Sequence, residues 1–97
     1  MSYVVVATWR AKPGKEAFIE NIVRTMARLS TTEEPETIQF TAQRSVDDPA
    51  SFLLYEVYTS EAGFEAHKET EHFKEYVLGQ ALPNLAHRER AIYETLD

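Results

Sequence analysis

The chain contains no cysteine, which excludes disulfides, a cysteine nucleophile, thiolate zinc sites and iron–sulfur ligation together. Glycine is almost as scarce. Gly14, Gly63 and Gly79 lie too far apart to form a phosphate-cradling loop or a dinucleotide fingerprint, so flavin or nicotinamide held by such motifs is not expected. Positive charge is thin and dispersed. The 10 Lys and Arg face 16 Asp and Glu, for a net charge of −6, and no basic cluster offers the footprint that a nucleic-acid partner needs. No apolar run approaches the roughly 20 residues that cross a bilayer. Met1-Ser2-Tyr3-Val4 enters a strand-like run without a basic leader, so neither a membrane partner nor a signal peptide is expected. The natural reading is a cytoplasmic protein.

What is present suits one folded domain, residues 1–97, in which 43% of residues are hydrophobic and 27% charged. Tyr3 to Arg10 is rich in β-branched and aromatic residues and reads as a strand. Lys12-Pro13-Gly14-Lys15 is a turn or helix start. Phe18, Ile19, Ile22, Val23, Met26 and Leu29 then recur at three- and four-residue spacing, one apolar stripe of a helix, with Glu20 and Arg24 paired at i, i+4 on the other side. Ser30 to Pro35 reads as a polar loop. Thr37 to Arg44 alternates, with Ile38, Phe40 and Ala42 on one face. Asp47-Asp48-Pro49 is a turn, and Ser51 to Tyr58 is a third strand, so the two strands form an antiparallel hairpin. Thr59-Ser60-Glu61 starts a second helix, with a hydroxyl to cap it. Thr70-Glu71 repeats the signal, which breaks the helix there. A short helix then runs to about Val77 or Leu78, Leu82-Pro83-Asn84-Leu85 connects, and Arg88 to Thr95 is a fourth strand. The order β-α-β-β-α-β predicts a ferredoxin-like α+β sandwich with a four-stranded antiparallel sheet.

In that topology the helices cover one face of the sheet. The other face should alternate with polar residues in a monomer. It does not: Val4, Val6 and Thr8 share one side of the first strand, and Leu53, Tyr55 and Val57 one side of the third. A second copy, sheet facing sheet, covers both faces by symmetry, so a homodimer is expected. The competing arrangement folds the C-terminal segment over the open face.

The residues equipped for proton transfer are His67, His72, His87 and Glu56. On one continuous helix His67 and His72 would point some 140° apart. HExxH is absent and no third ligand is evident, so no metal site is expected. His67 reads equally as a helix histidine bonded to backbone or water, His72 as a cap, and His87 as solvated. Glu56 shares a face with Phe52, Leu54 and Tyr58 inside an otherwise apolar strand, where a carboxylate is costly unless paired. It is either a perturbed acid–base group or the partner of Arg10, Arg44 or Arg90. Trp9, Tyr55, Tyr58, Phe73 and Tyr76 are candidates to line an apolar pocket between sheet and helices. No nucleophile elbow occurs, so a serine hydrolase is not expected.

At Phe52-Leu53-Leu54-Tyr55-Glu56-Val57-Tyr58-Thr59-Ser60-Glu61-Ala62-Gly63-Phe64-Glu65-Ala66-His67, followed by Thr70-Glu71-His72-Phe73, the chain resembles the antibiotic biosynthesis monooxygenase family. The opening strand, Lys-Pro-Gly turn and first helix fit as well. The resemblance implies a dimeric α/β barrel and a small-molecule substrate. The family includes cofactor-independent quinol and polyketide monooxygenases, haem-degrading enzymes and an isomerase of the autoinducer-2 degradation pathway. Many members carry Trp where this chain has Tyr58; the isomerase branch resembles this chain in having Tyr-Glu-x-Tyr there. The position of the haem-ligating histidine holds Val77, which disfavours haem degradation. Glu34-Pro35-Glu36-Thr37 stands where Glu-Pro-Gly-Cys is usual. Three readings follow. One is a monooxygenase that needs no cofactor, with His67 or His72 as base. Another is an isomerase using a His/Glu56 pair, with Lys68 and Lys74 to hold a phosphate. The last is a dimeric binding module without turnover.

Overall fold

The structure, a computed structural model, describes residues 1–97. Strand β1 (Tyr3–Ala11) leads through a turn to helix α1 (Glu16–Glu33), then to strands β2 (Thr37–Arg44) and β3 (Ser51–Tyr58), helix α2 (Glu61–Lys68), a π-helical segment (Phe73–Ala81) with one 3₁₀ turn (Leu82–Asn84), and strand β4 (Leu85–Glu94). The sheet is antiparallel in the order β2-β3-β1-β4, the ferredoxin-like arrangement that the element order predicts. No helix is long and apolar enough to cross a membrane.

Strand alternation sorts the residues between faces. Val5, Ala7 and Trp9 of β1 lie opposite Glu56, Leu54 and Phe52 of β3 and carry the helices. Against them pack Ile19, Ile22, Val23 and Met26 of α1 and Val77 and Ala81 of the π-helical segment. Each of the larger aliphatic side chains among these contributes about 1.5–3 kcal/mol by burial. Phe18, expected in that stripe, is exposed instead, with the Lys15 ammonium 5.6 Å from its ring centre. Ile38 is exposed as well, because the register of β2 shifts between Thr37 and Gln39.

Three boundaries depart from the sequence reading. Helix α1 continues through Glu33 rather than ending at Ser30: the Thr31 and Thr32 hydroxyls donate to the Ala27 and Arg28 carbonyls (both 2.8 Å), so these residues bond along the helix instead of leaving it. The last helical segment runs past Gly79 to Ala81, and β4 begins at Leu85. Ser60 holds the N-cap position of α2, but its side chain makes no capping bond. The break at Thr70 is present. Its hydroxyl donates to the His67 carbonyl (2.8 Å) and accepts from the Phe73 amide (3.2 Å), which ends one helix and starts the next.

Gly63 sets how close α2 lies to the sheet. A Cβ there would sit 2.9 Å from Glu36 Cβ and 3.4 Å from Tyr58 Cβ. Gly63→Ala gains about 1 kcal/mol of helix propensity, but the crowding costs about 1–3 kcal/mol. The expected net result is a lower urea midpoint; an unchanged or raised midpoint would show that α2 shifts freely.

Candidate active site

Helix α2 is short, and its buried residues are Gly63, Phe64 and His67. Spacing of i, i+1 and i+4 makes one face, so His67 is delivered to the core although it is polar. It is 3% exposed, enclosed by the rings of Phe40, Tyr58 and Phe73 at centroid distances of 5.6, 5.4 and 5.1 Å. A buried imidazole needs a partner, and Glu34 supplies it.

Glu34 follows the last residue of α1 and precedes Pro35. Proline disfavours helical backbone in the residue before it, and Glu34 is extended (φ −112°, ψ 109°). The chain thus leaves the helix at Glu34, which is buried. His67 Nδ1 lies 2.9 and 3.0 Å from its two oxygens, His72 Nε2 2.5 Å from Oε2, and the Thr37 hydroxyl donates to Oε1 at 2.7 Å. Burial opposes ionisation of Glu34, but the bonds from His67, His72 and Thr37 outweigh it and hold its pKa at about 2. An ionised carboxylate only accepts. His67 therefore donates from Nδ1 and His72 from Nε2. The His67 Nε2 makes no hydrogen bond within the protein, so in the neutral ring its lone pair is free.

His67 lines a small cavity of about 40 Å³ together with Trp9, Phe40, Phe64, Phe73 and Glu56. Glu56 is buried, and its Oε1 accepts from the Tyr58 hydroxyl at 2.5 Å. Burial pushes its pKa up to about 7, against the opposing bond from Tyr58. Tyr58 is pushed up in turn by burial and by the adjacent Glu56. The partner of Glu56 is thus Tyr58 and not an arginine. Arg10 pairs with Asp48 and Arg44 with Glu20; Arg90 acts on Glu56 only at longer range.

The other sequence candidates fall in different places. Trp9 and Phe73 line the cavity, while Tyr58 touches it through Glu56 and His67. Tyr55 lies on the opposite face of the sheet, across from Val6, as alternation from Glu56 requires. Tyr76 packs at the edge of the core. His72 is half-buried outside the cavity and reaches the site only through Glu34. His87 is exposed, 3.4 Å from Glu89. Sequence reasoning passed over Glu34; an acid placed before proline at a helix end was the available signal. No group of three His, Asp or Glu side chains is arranged to hold a metal ion.

The antibiotic biosynthesis monooxygenase family model matches residues 2–78. A solved structure from Nitrosomonas europaea, named for antibiotic biosynthesis monooxygenase, is 30% identical with a TM-score of 0.86, covering 98% of this chain and 90% of that one. Proteins of Pseudomonas aeruginosa (24% identical, 99% and 95% covered) and Caulobacter crescentus (23% identical, 99% and 91% covered) share the fold at TM-scores of 0.90 and 0.89. No curated protein sequence matches. The chain belongs to the antibiotic biosynthesis monooxygenase family.

Proposed function

We propose that this protein is a monooxygenase that needs no bound cofactor and oxidises an electron-rich phenol, with His67 as the general base. The observation that carries this reading is the Glu34–His67 pair: a buried carboxylate fixes the imidazole through Nδ1 and leaves Nε2 without a partner, on a ring that lines a largely apolar cavity. His67 Nε2 takes the phenolic proton, and the phenolate gives an electron to dioxygen. The two radicals combine at the ring carbon para to the oxygen, forming a carbon–oxygen bond, and the peroxide takes up a proton. Loss of the ring proton with cleavage of the O–O bond then releases water and leaves a quinone. Atoms balance as phenol plus dioxygen giving quinone plus water, with the substrate as sole reductant. Glu56 supplies and recovers the peroxide proton in this reading, and a pKa of about 7 supports both roles near neutrality. The apolar walls exclude water that would quench the radical pair.

The cavity of about 40 Å³ holds about one water molecule, whereas an aromatic ring needs on the order of 150 Å³. A bound ring therefore needs the lining side chains to move apart, and among the aromatic ones Phe73 is half-buried, at the start of the π-helical segment. The test is dioxygen uptake with α-naphthol by protein freed of metal and flavin. One dioxygen per naphthoquinone, without hydrogen peroxide, is expected. No uptake above autoxidation would leave a binding module; proton–deuterium exchange into hydroxyketones instead would favour the isomerase. In that alternative the expected phosphate holders, Lys68 and Lys74, sit in surface pairs with Glu65 (3.1 Å) and Glu69 (3.8 Å), which a phosphate would have to displace.

We also propose that the working unit is a cytoplasmic homodimer formed through the helix-free face of the sheet. Leu53 and Tyr93 are exposed there, flanked by half-buried Val6 and Tyr55. The C-terminal segment does not cover them: the Thr95 amide donates to the Ser2 carbonyl, which continues the sheet edge. Sedimentation equilibrium is expected to give a dimer, and Leu53→Glu with Tyr93→Glu a folded monomer. A parent chain that sediments as a monomer would contradict the proposal.

A further inference from the structure

Arg88 and Arg90 stand two residues apart on β4, opposite Trp9 and Ala7 of β1. Alternation puts both on the helix-bearing face, and both line the cavity that contains His67 and Glu56. Both are exposed, and neither makes an ion pair. The arginine and lysine pairs of this protein are at Arg10, Arg24, Arg44, Lys68 and Lys74. The neighbouring acid on the strand, Glu89, faces the other side of the sheet, where it lies by His87. Glu56 is the only carboxylate lining the cavity, and it is occupied by Tyr58. The Arg90 guanidinium rests over the Phe64 ring at 5.2 Å, which aligns it beside the apolar wall. In a chain of net charge −6, two unpaired guanidiniums at the mouth of one apolar cavity are a local departure from the composition.

We infer that the substrate carries a carboxylate, which Arg88 and Arg90 hold at the mouth while the phenolic ring reaches His67. A guanidinium matches a carboxylate with two parallel N–H donors. A phosphate ester on the ring oxygen would block the hydroxyl that must ionise, whereas a carboxylate leaves it free. The carboxylate also has a positional use: anchoring the ring at one end limits which carbon faces dioxygen. This inference rests on the cavity being the reaction site.

The test compares binding of a hydroxynaphthoate with that of its methyl ester, which keeps the ring and hydroxyl and removes the charge. At low salt the free acid is expected to bind at least tenfold more tightly. The preference should fall severalfold in about 0.5 M salt, where screening acts over a few ångströms. It should vanish in the Arg88→Gln, Arg90→Gln double variant, in which acid and ester then bind with equal affinity. Equal affinity for acid and ester, or a preference that survives both substitutions, would overturn the inference. If the double variant does not fold, the salt titration of the unmodified protein decides. Carboxylate-selective binding without dioxygen uptake would keep the anion site and remove the oxygenase reading; uptake without selectivity would do the reverse.

Discussion

Replacement of His67 by glutamine is expected to lower dioxygen uptake with α-naphthol by about 10²–10⁴-fold, the usual contribution of a positioned general base. Glutamine retains an N–H donor for Glu34 and has no basic nitrogen. The structural cost is separable. His67→Gln removes ring contacts with Phe40, Tyr58 and Phe73, worth about 0.5–1.5 kcal/mol per aromatic pair, so the variant should unfold at lower urea but remain folded in buffer. His72→Gln serves as the contrast. His72 bonds the same carboxylate from outside the cavity, so its loss weakens the support of His67 and is expected to cost about tenfold, the low end for a supporting partner. If the two variants lose activity equally, or if His67→Gln keeps it, the base has been placed on the wrong residue.

Glu56→Gln is expected to raise stability by about 3 kcal/mol at about pH 8 and to change it little at about pH 4. Burial holds the carboxyl protonated in the folded chain up to about 7, against 4.5 for a free carboxyl. Between those values the folded state keeps a proton that the unfolded state releases, so stability falls as pH rises through the window. The gap corresponds to roughly 3 kcal/mol once both ends are passed. Glutamine keeps an oxygen to accept from Tyr58 and cannot ionise. Glu34 works in the opposite sense. Its pKa is lowered to about 2, so its contribution is complete above 4.5 and is lost as pH falls toward 2, in parent and variant alike. Urea midpoints at both pH values decide the matter; parallel profiles for parent and variant would mean that Glu56 is ionised in the folded protein at neutral pH.

The fold was legible because its signals are local. The apolar stripe of α1, the alternation of β2 and β3 and the Asp47-Asp48-Pro49 turn each depend on residues within a few positions of one another. The site was legible only in part. Histidine on the buried face of α2 and a carboxylate in an apolar strand both stand out in sequence. What joins them does not. Glu34 is 33 residues from His67 and 38 from His72, and a polar hinge gives no periodicity that would mark its side chain as buried. The two histidines look divergent on a continuous helix; the break at Thr70 lets both reach one carboxylate. Glu56 and Tyr58 were visibly on one face, yet an arginine was the expected partner. Arg10 and Arg44 are claimed by Asp48 and Glu20, and Arg90 rests over the Phe64 ring, placements that depend on long-range packing rather than on strand position.

The proposed mechanism depends on His67 offering Nε2, rather than an N–H, to the cavity. Nitrogen-15 spectra of the histidine rings, taken in the neutral form, measure this without knowledge of the substrate. His67 protonated at Nδ1 and bare at Nε2, with His72 protonated at Nε2, is the predicted pattern. His67 carrying its proton on Nε2 would contradict it, because Glu34 would then no longer present a base to the phenol.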